Sequence, residues 1–457
     1  MVIMLAMVAG PALAQQTNAT DLQTKIQQLQ QELAQQKAEN QRLEEQLQQL
    51  SGAVAGLMKT QAVQSKKLKE IPKTLKVESR VTPIGKENIF IKGFISTSFY
   101  MQDNAFAFGN GQNAEFPKPP EFEHNRWFAG GDVRNTRLDI GFKGPKLQGW
   151  NAGGLIETDF FGGFNGSGAF SHQQAHLRLR LGYIQLTKGQ TKIRLGQDWS
   201  PLFGEWPIST SHIAFPLGYG SAGYVGWRFP GIYLWQGLTR KDAPVKVQLQ
   251  AGVFEGSWNG PGSPIATLSA GNVGFRPQVE ARLNISGKTS AGYPWKLYIV
   301  GHWDEKDLNG VNNINPNPAI DDKITGTAEE LGGKIKIGRF LMHGNVYFAK
   351  GAGQQFTAIT QFGDISTWGA WMQLGYDLTD HWSLYGFYGL DDPDDADVLT
   401  WVGNNGRVKN TMYNLHLRYA VGPYWFGIEW LHDKLETGPN ATETTGNQIA
   451  LSALYKF

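Results

Sequence analysis

The sequence contains no cysteine, which fits an oxidising compartment in which no disulfide is needed. It also lacks any run of about 18 apolar residues, so we exclude a membrane protein built from spanning helices. Neither sign of charge is in excess, because 42 basic residues nearly balance 40 acidic ones and leave a net charge of +2. That balance gives no signature of nucleic-acid binding.

The residues that are abundant favour β-strands. Among 457 residues, 56 are glycine, 12% are aromatic and 41% are hydrophobic, with a mean hydropathy of −0.34. The final stretch alternates most clearly, because a period of two places on one face Ile449, Leu451, Ala453, Tyr455 and Phe457. Such a strand belongs either to the edge of a soluble β-sandwich or to an outer-membrane barrel, where the apolar face contacts lipid.

Residues 1–14 resemble the end of a secretory signal peptide. An apolar stretch precedes Pro11 and the small-residue motif Ala12-Leu13-Ala14. The usual basic region before the apolar stretch is missing. We expect export with cleavage after Ala14, and N-terminal sequencing of the mature protein tests this expectation.

Residues 15–71 are predicted to form a periplasmic coiled coil that drives trimerisation. A heptad repeat begins at about Asp21, and one of its two seam columns contains Leu22, Leu29, Gln36, Leu43, Leu50, Leu57, Gln64 and Ile71. Such a narrow seam stabilises a helix only against copies of itself. A single solvated helix is the alternative. Pro72 ends the helix, and residues 72–87 are interpreted as a linker.

Sixteen short alternating segments follow in residues 88–457, an even number, as bacterial barrels require. Short turns such as Gly144-Pro145 alternate with long loops, which we place at 103–132, 200–227, 304–325, 391–410 and 433–446. A soluble β-sandwich would not be expected to alternate short turns with long loops in this way. We therefore predict an all-β fold, a 16-stranded antiparallel transmembrane β-barrel with its short turns in the periplasm, closed by pairing of 447–457 with 88–102.

Charged residues on the strands predict a polar lumen. In residues 175–181 leucines alternate with Arg178 and Arg180, and an arginine facing lipid at mid-depth would cost ~2–4 kcal/mol, so the charged side must face inward. A lumen this polar predicts a water-filled pore and not a packed core. We predict a basic wall made of Arg137, Arg178, Arg180, Lys192 and Arg194, and further lumen charges at Arg282, Lys296, Lys334, Lys336 and Arg418.

Acidic residues predicted to face inward are fewer, and they include Asp139, Glu157, Asp159, Glu280 and Glu429. Guanidinium groups in a narrow lumen bind carboxylates and phosphates and raise the local anion concentration. The predicted wall therefore favours small anions.

The connection at 200–227 is too apolar for a loop in water. We therefore expect it to fold into the lumen and to form a constriction with four of its residues: Phe203, Glu205, Trp206 and Phe215. The alternatives are an outer lid or a contact between subunits.

Three stretches resemble the DcaP-like outer-membrane porins: 134–141 (RNTRLDIG), 177–183 (LRLRLGY) and 195–200 (LGQDWS). The resemblance implies a periplasmic coiled coil, a sixteen-stranded barrel, a homotrimer and a preference for negatively charged small solutes such as dicarboxylates. It implies pore arginines at Arg137, Arg178, Arg180 and Arg194. Phosphate-selective porins are the nearest alternative family.

Other chemistry is weakly indicated. Asp391, Asp392, Asp394 and Asp395 offer oxygen ligands for a divalent cation that could bridge lipopolysaccharide, but a solvated acidic loop is favoured. No histidine spacing suggests zinc and no motif cradles a phosphate, so we expect no cofactor, no nucleic-acid partner and no enzymatic activity.

The sequence thus predicts an outer-membrane diffusion channel for small hydrophilic solutes, with a preference for anions such as carboxylates or phosphate. Its partners would be two further copies, membrane lipid and lipopolysaccharide. A structural protein that tethers the membrane to the cell wall through its coiled coil is the alternative from another class.

Overall fold

A computed structural model describes residues 88–107, 115–118, 127–162, 175–256, 276–308 and 323–457. The predicted signal peptide (1–14), coiled coil (15–71) and linker (72–87) lie outside the described residues.

The described chain is almost entirely β-structure. Strands β1 to β17 span Ile89–Gln102, Phe128–Asp132, Arg137–Lys143, Asn151–Gly162, His176–Lys188, Thr191–Trp199, Arg228–Gly237, Lys246–Phe254, Gln278–Lys288, Pro294–Asp307, Lys323–Ile337, Phe340–Lys350, Ser366–Asp377, Trp382–Pro393, Arg407–Val421, Tyr424–Thr437 and Thr442–Lys456. A short helix α1 spans Asp395–Trp401, and a 3₁₀ turn spans Gly353–Gln355. No helix in the described ranges is long and apolar enough to cross a membrane.

The strands close into an antiparallel ring. β17 pairs with β1 from Phe94↔Lys456 to Gln102↔Gln448, which confirms the predicted closure. β2 pairs with one end of β1 and β3 with its other end, so these two short strands share one position. The ring therefore has sixteen positions, as predicted.

The strands alternate between an apolar outside and a polar inside. On β5, Leu177 and Leu179 are 63% and 51% exposed, whereas Arg180 is fully buried. The same outward row of large apolar side chains recurs around the ring, from Phe99 on β1 to Leu451 on β17. An apolar exterior of this kind is what a barrel presents to lipid.

Three details differ from the sequence prediction. Residues 128–132, inside the connection predicted at 103–132, form β2. The second of the sixteen predicted segments, 133–142, becomes a strand only at Arg137, because the hydroxyl of Thr136 accepts the N–H of Ser96 (3.1 Å) and the side chain of Asn135 turns toward the lumen. The connection predicted as long at 433–446 is a short turn at 438–441, because β16 and β17 continue their pairing up to Thr437↔Thr442. The polar residues that suggested a loop belong to this extended hairpin.

Candidate functional site

Residues 200–227, here called the constriction loop, lie inside the barrel. The carboxylate of Glu429 on β16 accepts the backbone N–H of Thr210 (2.7 Å) and of Ser211 (2.9 Å), and it also accepts the hydroxyl of Ser209 (2.8 Å). All four residues are buried. Several donors on one buried carboxylate satisfy its charge and fix the loop to this wall.

Other strands hold the same loop on different sides of the ring. The backbone N–H of Leu202 donates to Glu280 on β9 at 2.7 Å. Gln373 on β13 accepts the N–H of Ile208 (2.7 Å) and donates to its carbonyl oxygen (2.9 Å). Asn135 donates its side-chain amide to the carbonyl of Ser211 at 2.7 Å. The loop is therefore built into the lumen by polar contacts around the ring.

Apolar side chains of the loop form a packed cluster with the inner wall. Phe203 stacks on Trp199 with ring centroids 3.7 Å apart, and Phe215 meets Phe161 edge to face at 5.5 Å. Phe203 and Phe215 are 6% and 5% exposed, so they are packing residues. The expectation of a lumen without a packed core needs correction here. Of the four residues predicted for the constriction, only Glu205 and Trp206 are partly exposed.

Residues 351–365 form a second inserted loop, which the sequence analysis missed. The side chain of Gln355 donates to Glu280 at 3.0 Å, and the ring of Phe356 stacks on Tyr219 of the constriction loop at 4.8 Å. Several of its residues have left-handed backbone conformations, namely Phe356, Ala358, Ile359 and Thr360. The alternation rule for strands gives no signal for such a loop.

Three members of the predicted basic wall form a ladder with two carboxylates. Arg180 is fully buried and pairs with Glu157 (2.7 Å) and Asp159 (2.8 Å). Arg178 pairs with Asp159 at 2.7 Å, and Arg137 lies 3.7 Å from Glu157. These five residues, here called the arginine ladder, contain one more cation than anion.

The other two members of the wall stack on aromatic rings. Arg194 pairs with Asp198 at 2.7 Å and lies 3.9 Å from the ring centre of Tyr183. Lys192 lies 3.6 Å from the ring centre of Trp235. The pairing of Arg194 with Asp198, four positions later on β6, was not predicted.

Arg228, at the start of β7, was also missed. Its guanidinium lies over Trp227 (4.3 Å) and Trp199 (4.8 Å), and the side chain of Arg180 lies over the same Trp199 at 5.5 Å. Arg228 is 5% exposed, and no carboxylate of the described residues lies within ion-pair distance of it. Its positive charge therefore adds to the excess charge of the ladder.

The remaining predicted lumen charges divide between two roles. Arg282 is buried, donates to the carbonyl oxygens of Pro201 (3.0 Å) and Phe203 (3.2 Å), and so holds the constriction loop. The other four are partly or fully exposed: Lys296, Lys334, Lys336 and Arg418. Arg418 lies over Trp425 at 4.7 Å.

The acidic stretch does not form one cluster. Asp391 is buried and accepts the hydroxyls of Tyr347 (2.7 Å) and Thr367 (2.8 Å), whereas Asp394 caps α1. Asp392 lies 3.4 Å from Lys409. Among the described residues, no group of three histidine or acidic side chains could hold a metal ion.

The constriction loop also contains a buried histidine. Nδ1 of His212 lies 2.9 Å from Oγ of Ser211 and 4.0 Å from the carboxylate of Glu429. Burial lowers the pKa of the His212 imidazole, although the neighbouring Glu429 opposes that effect. The ring is enclosed and nearly inaccessible, so this arrangement serves to hold the loop.

A closed sixteen-position barrel with an apolar exterior and a charged lumen that contains inserted loops defines the class of outer-membrane-type β-barrels. The solved outer membrane channel DcaP of Acinetobacter baumannii is similar, with 16% identity, a TM-score of 0.60, and coverage of 81% of this chain and 97% of that chain. OprB of Pseudomonas putida is 11% identical with a TM-score of 0.50, covering 81% and 94% of the two chains. The predicted resemblance to DcaP is thus confirmed at the level of the fold. No protein-family profile and no curated protein matches the sequence.

Proposed function

We propose that the protein is an outer-membrane diffusion channel for small hydrophilic solutes, with a preference for small anions such as carboxylates or phosphate. The fold it has in common with solved outer-membrane channels supports the general role. The preference for anions rests on the charges of the lumen.

The supporting observation is the unequal exposure of the two partners in two of the lumen ion pairs. The side chain of Arg178 is 20% exposed, whereas its partner Asp159 is fully buried. Arg194 is 19% exposed and Asp198 only 4%. In these two pairs the cation is the more exposed partner, whereas in the Arg180–Glu157 pair the carboxylate is, with 11% against 0%. A solute that passes Arg178 and Arg194 therefore meets positive charge first, and rings of such side chains select anions.

Several guanidinium nitrogens strengthen this bias. Five guanidinium nitrogens are buried without a hydrogen-bond partner in the described part of the chain: Nε and Nη2 of Arg137, Nη2 of Arg180, and Nε and Nη1 of Arg228. The charge of Arg180 is compensated by Glu157 and Asp159. The charges of Arg137 and Arg228 are less well compensated and act on the lumen through a low-dielectric wall.

Swelling of reconstituted liposomes tests this function. The rates are compared for a sugar acid, a neutral sugar and an amino sugar of similar size. We expect the acid to enter fastest and the amino sugar slowest. The anion preference is contradicted if the amino sugar enters fastest, and the channel role is contradicted if no solute enters.

The assembly we propose is a homotrimer in the outer membrane, in contact with lipid and lipopolysaccharide, with residues 15–71 in the periplasm as a coiled coil. Deleting 21–71 distinguishes the channel from a tether. A channel keeps conducting without this segment, whereas a protein that connects the membrane to the cell wall loses its role.

A further inference from the structure

A group of five lysines lies at the short-turn end of the lumen, apart from the arginine ladder. Ser286 on β9 is opposite Lys246 on β8 and Lys296 on β10, and Lys296 is in turn opposite Lys334 on β11. The side chains of these four residues therefore share one face of the sheet. Lys288 and Lys336 lie on the same face, two positions after Ser286 and Lys334 in the direction of the short turns. These five lysines, here called the lysine pocket, surround a cavity of about 720 Å³.

The lysine pocket has an excess of positive charge. Lys336 pairs with Asp377 at 2.8 Å, and Glu205 pairs with Lys296 and lies 3.9 Å from Lys334. Neither Lys246 nor Lys288 has a carboxylate within ion-pair distance among the described residues. Five cations thus face two anions.

Glu205 is the unusual member of this arrangement, because it comes from the constriction loop and not from the wall. Its carboxylate lies between two lysines of adjacent strands and is 12% exposed, whereas Lys296 and Lys334 are 43% and 36% exposed. It is the only carboxylate of the described residues within ion-pair distance of these two lysines. Two residues before it, Phe203 is anchored by Arg282, so the loop holds Glu205 there.

We propose that the lysine pocket binds small polyvalent anions, and that Glu205 is a built-in competitor for the same lysines. The inference rests on the proposed function, because the anion must reach the lumen. An ammonium group is a compact charge without a fixed geometry, so several of them suit an anion with several charges, such as an oligophosphate or a polycarboxylate. Binding there would displace Glu205 from Lys296 and Lys334.

Calorimetric titration of the purified full-length protein with inorganic tripolyphosphate at fixed salt tests this proposal. Replacing both Lys296 and Lys334 by glutamine should weaken binding about tenfold or more. Glu205→Gln should tighten it severalfold, and a misfolded protein cannot produce this opposite effect. Lys188→Gln is the matched control, because Lys188 lies at the same end but on the outer face over Trp150.

The proposal is overturned if the lysine variants bind as the wild type does, or if Glu205→Gln weakens binding. The channel role is measured separately on the same proteins by conductance. Loss of tripolyphosphate binding in the lysine variants with anion preference retained supports two distinct sites. Tripolyphosphate binding in a protein that does not conduct anions would leave this site standing and refute the proposed function.

Discussion

The carboxylate of Glu429 accepts the backbone N–H of Thr210 at 2.7 Å, although the two residues lie on different parts of the barrel, one on β16 and the other in the constriction loop. Both are buried. Glu429 also accepts hydrogen bonds from Ser209 and Ser211. Among the described wall residues, it therefore makes the most hydrogen bonds to the constriction loop.

Replacing Glu429 by glutamine should loosen the constriction loop. The amide cannot match the four charged hydrogen bonds, and we expect a loss of about 2–4 kcal/mol in the free energy of unfolding, together with noisier open-channel current. Urea unfolding in lipid vesicles and single-channel recording measure the two effects. Glu443→Gln, at an exposed pair with Lys434, is the control; equal behaviour of both variants would contradict the anchoring role.

The arginines of the ladder should differ in what they stabilise. Arg180→Met leaves Glu157 and Asp159 without their buried partner, so we expect a destabilisation of about 3–5 kcal/mol. Arg178→Met should cost less, because Asp159 keeps Arg180. Urea unfolding of both variants gives the comparison. A larger loss for Arg178→Met would show that the ladder is not organised around Arg180.

Arg137 should contribute to ion preference more than to stability. It lies 3.7 Å from Glu157, beyond hydrogen-bond distance, and two of its guanidinium nitrogens have no hydrogen-bond partner among the described residues. Arg137→Gln is expected to lower the permeability ratio of chloride to potassium severalfold, because one uncompensated charge is removed from the lumen. Lys188→Gln, outside the lumen, should leave the ratio unchanged, and an equal effect in the two variants would contradict this account.

The closure of the ring can be tested by cross-linking. The hydroxyls of Ser98 on β1 and Ser452 on β17 are 2.7 Å apart and buried, and the chain has no cysteine of its own. Ser98→Cys combined with Ser452→Cys should form a disulfide on oxidation and keep the barrel compact on a denaturing gel. Ser98→Cys combined with Ser383→Cys, on β14, should not. Absence of the first cross-link would contradict the β1–β17 pairing.

Strand alternation was sufficient to predict the barrel, its sixteen positions and the inward direction of Arg178 and Arg180, because lipid and lumen impose opposite polarity on neighbouring residues of each strand. It failed where side chains serve the inserted loops. The interruption before Arg137 and the left-handed residues of the second inserted loop depend on contacts with distant segments.

The lumen itself was only partly predictable. The constriction loop was recognised from its apolar composition, but the burial of Phe203 and Phe215 depends on wall residues such as Phe161, which are brought close only by the fold. Arg228 was missed because it is adjacent to Phe229, and two successive buried residues break the alternation. Predicting the ion-pair partners requires the register between neighbouring strands, which cannot be read directly from the sequence.

The zero-current potential across a planar bilayer under a KCl gradient tests the central claim most directly. Because Arg178 is the most exposed charge of the arginine ladder, the potential should have the sign for chloride passing more readily than potassium, and it should shrink as salt screens the lumen. A potential of the opposite sign, with potassium favoured, would contradict the account.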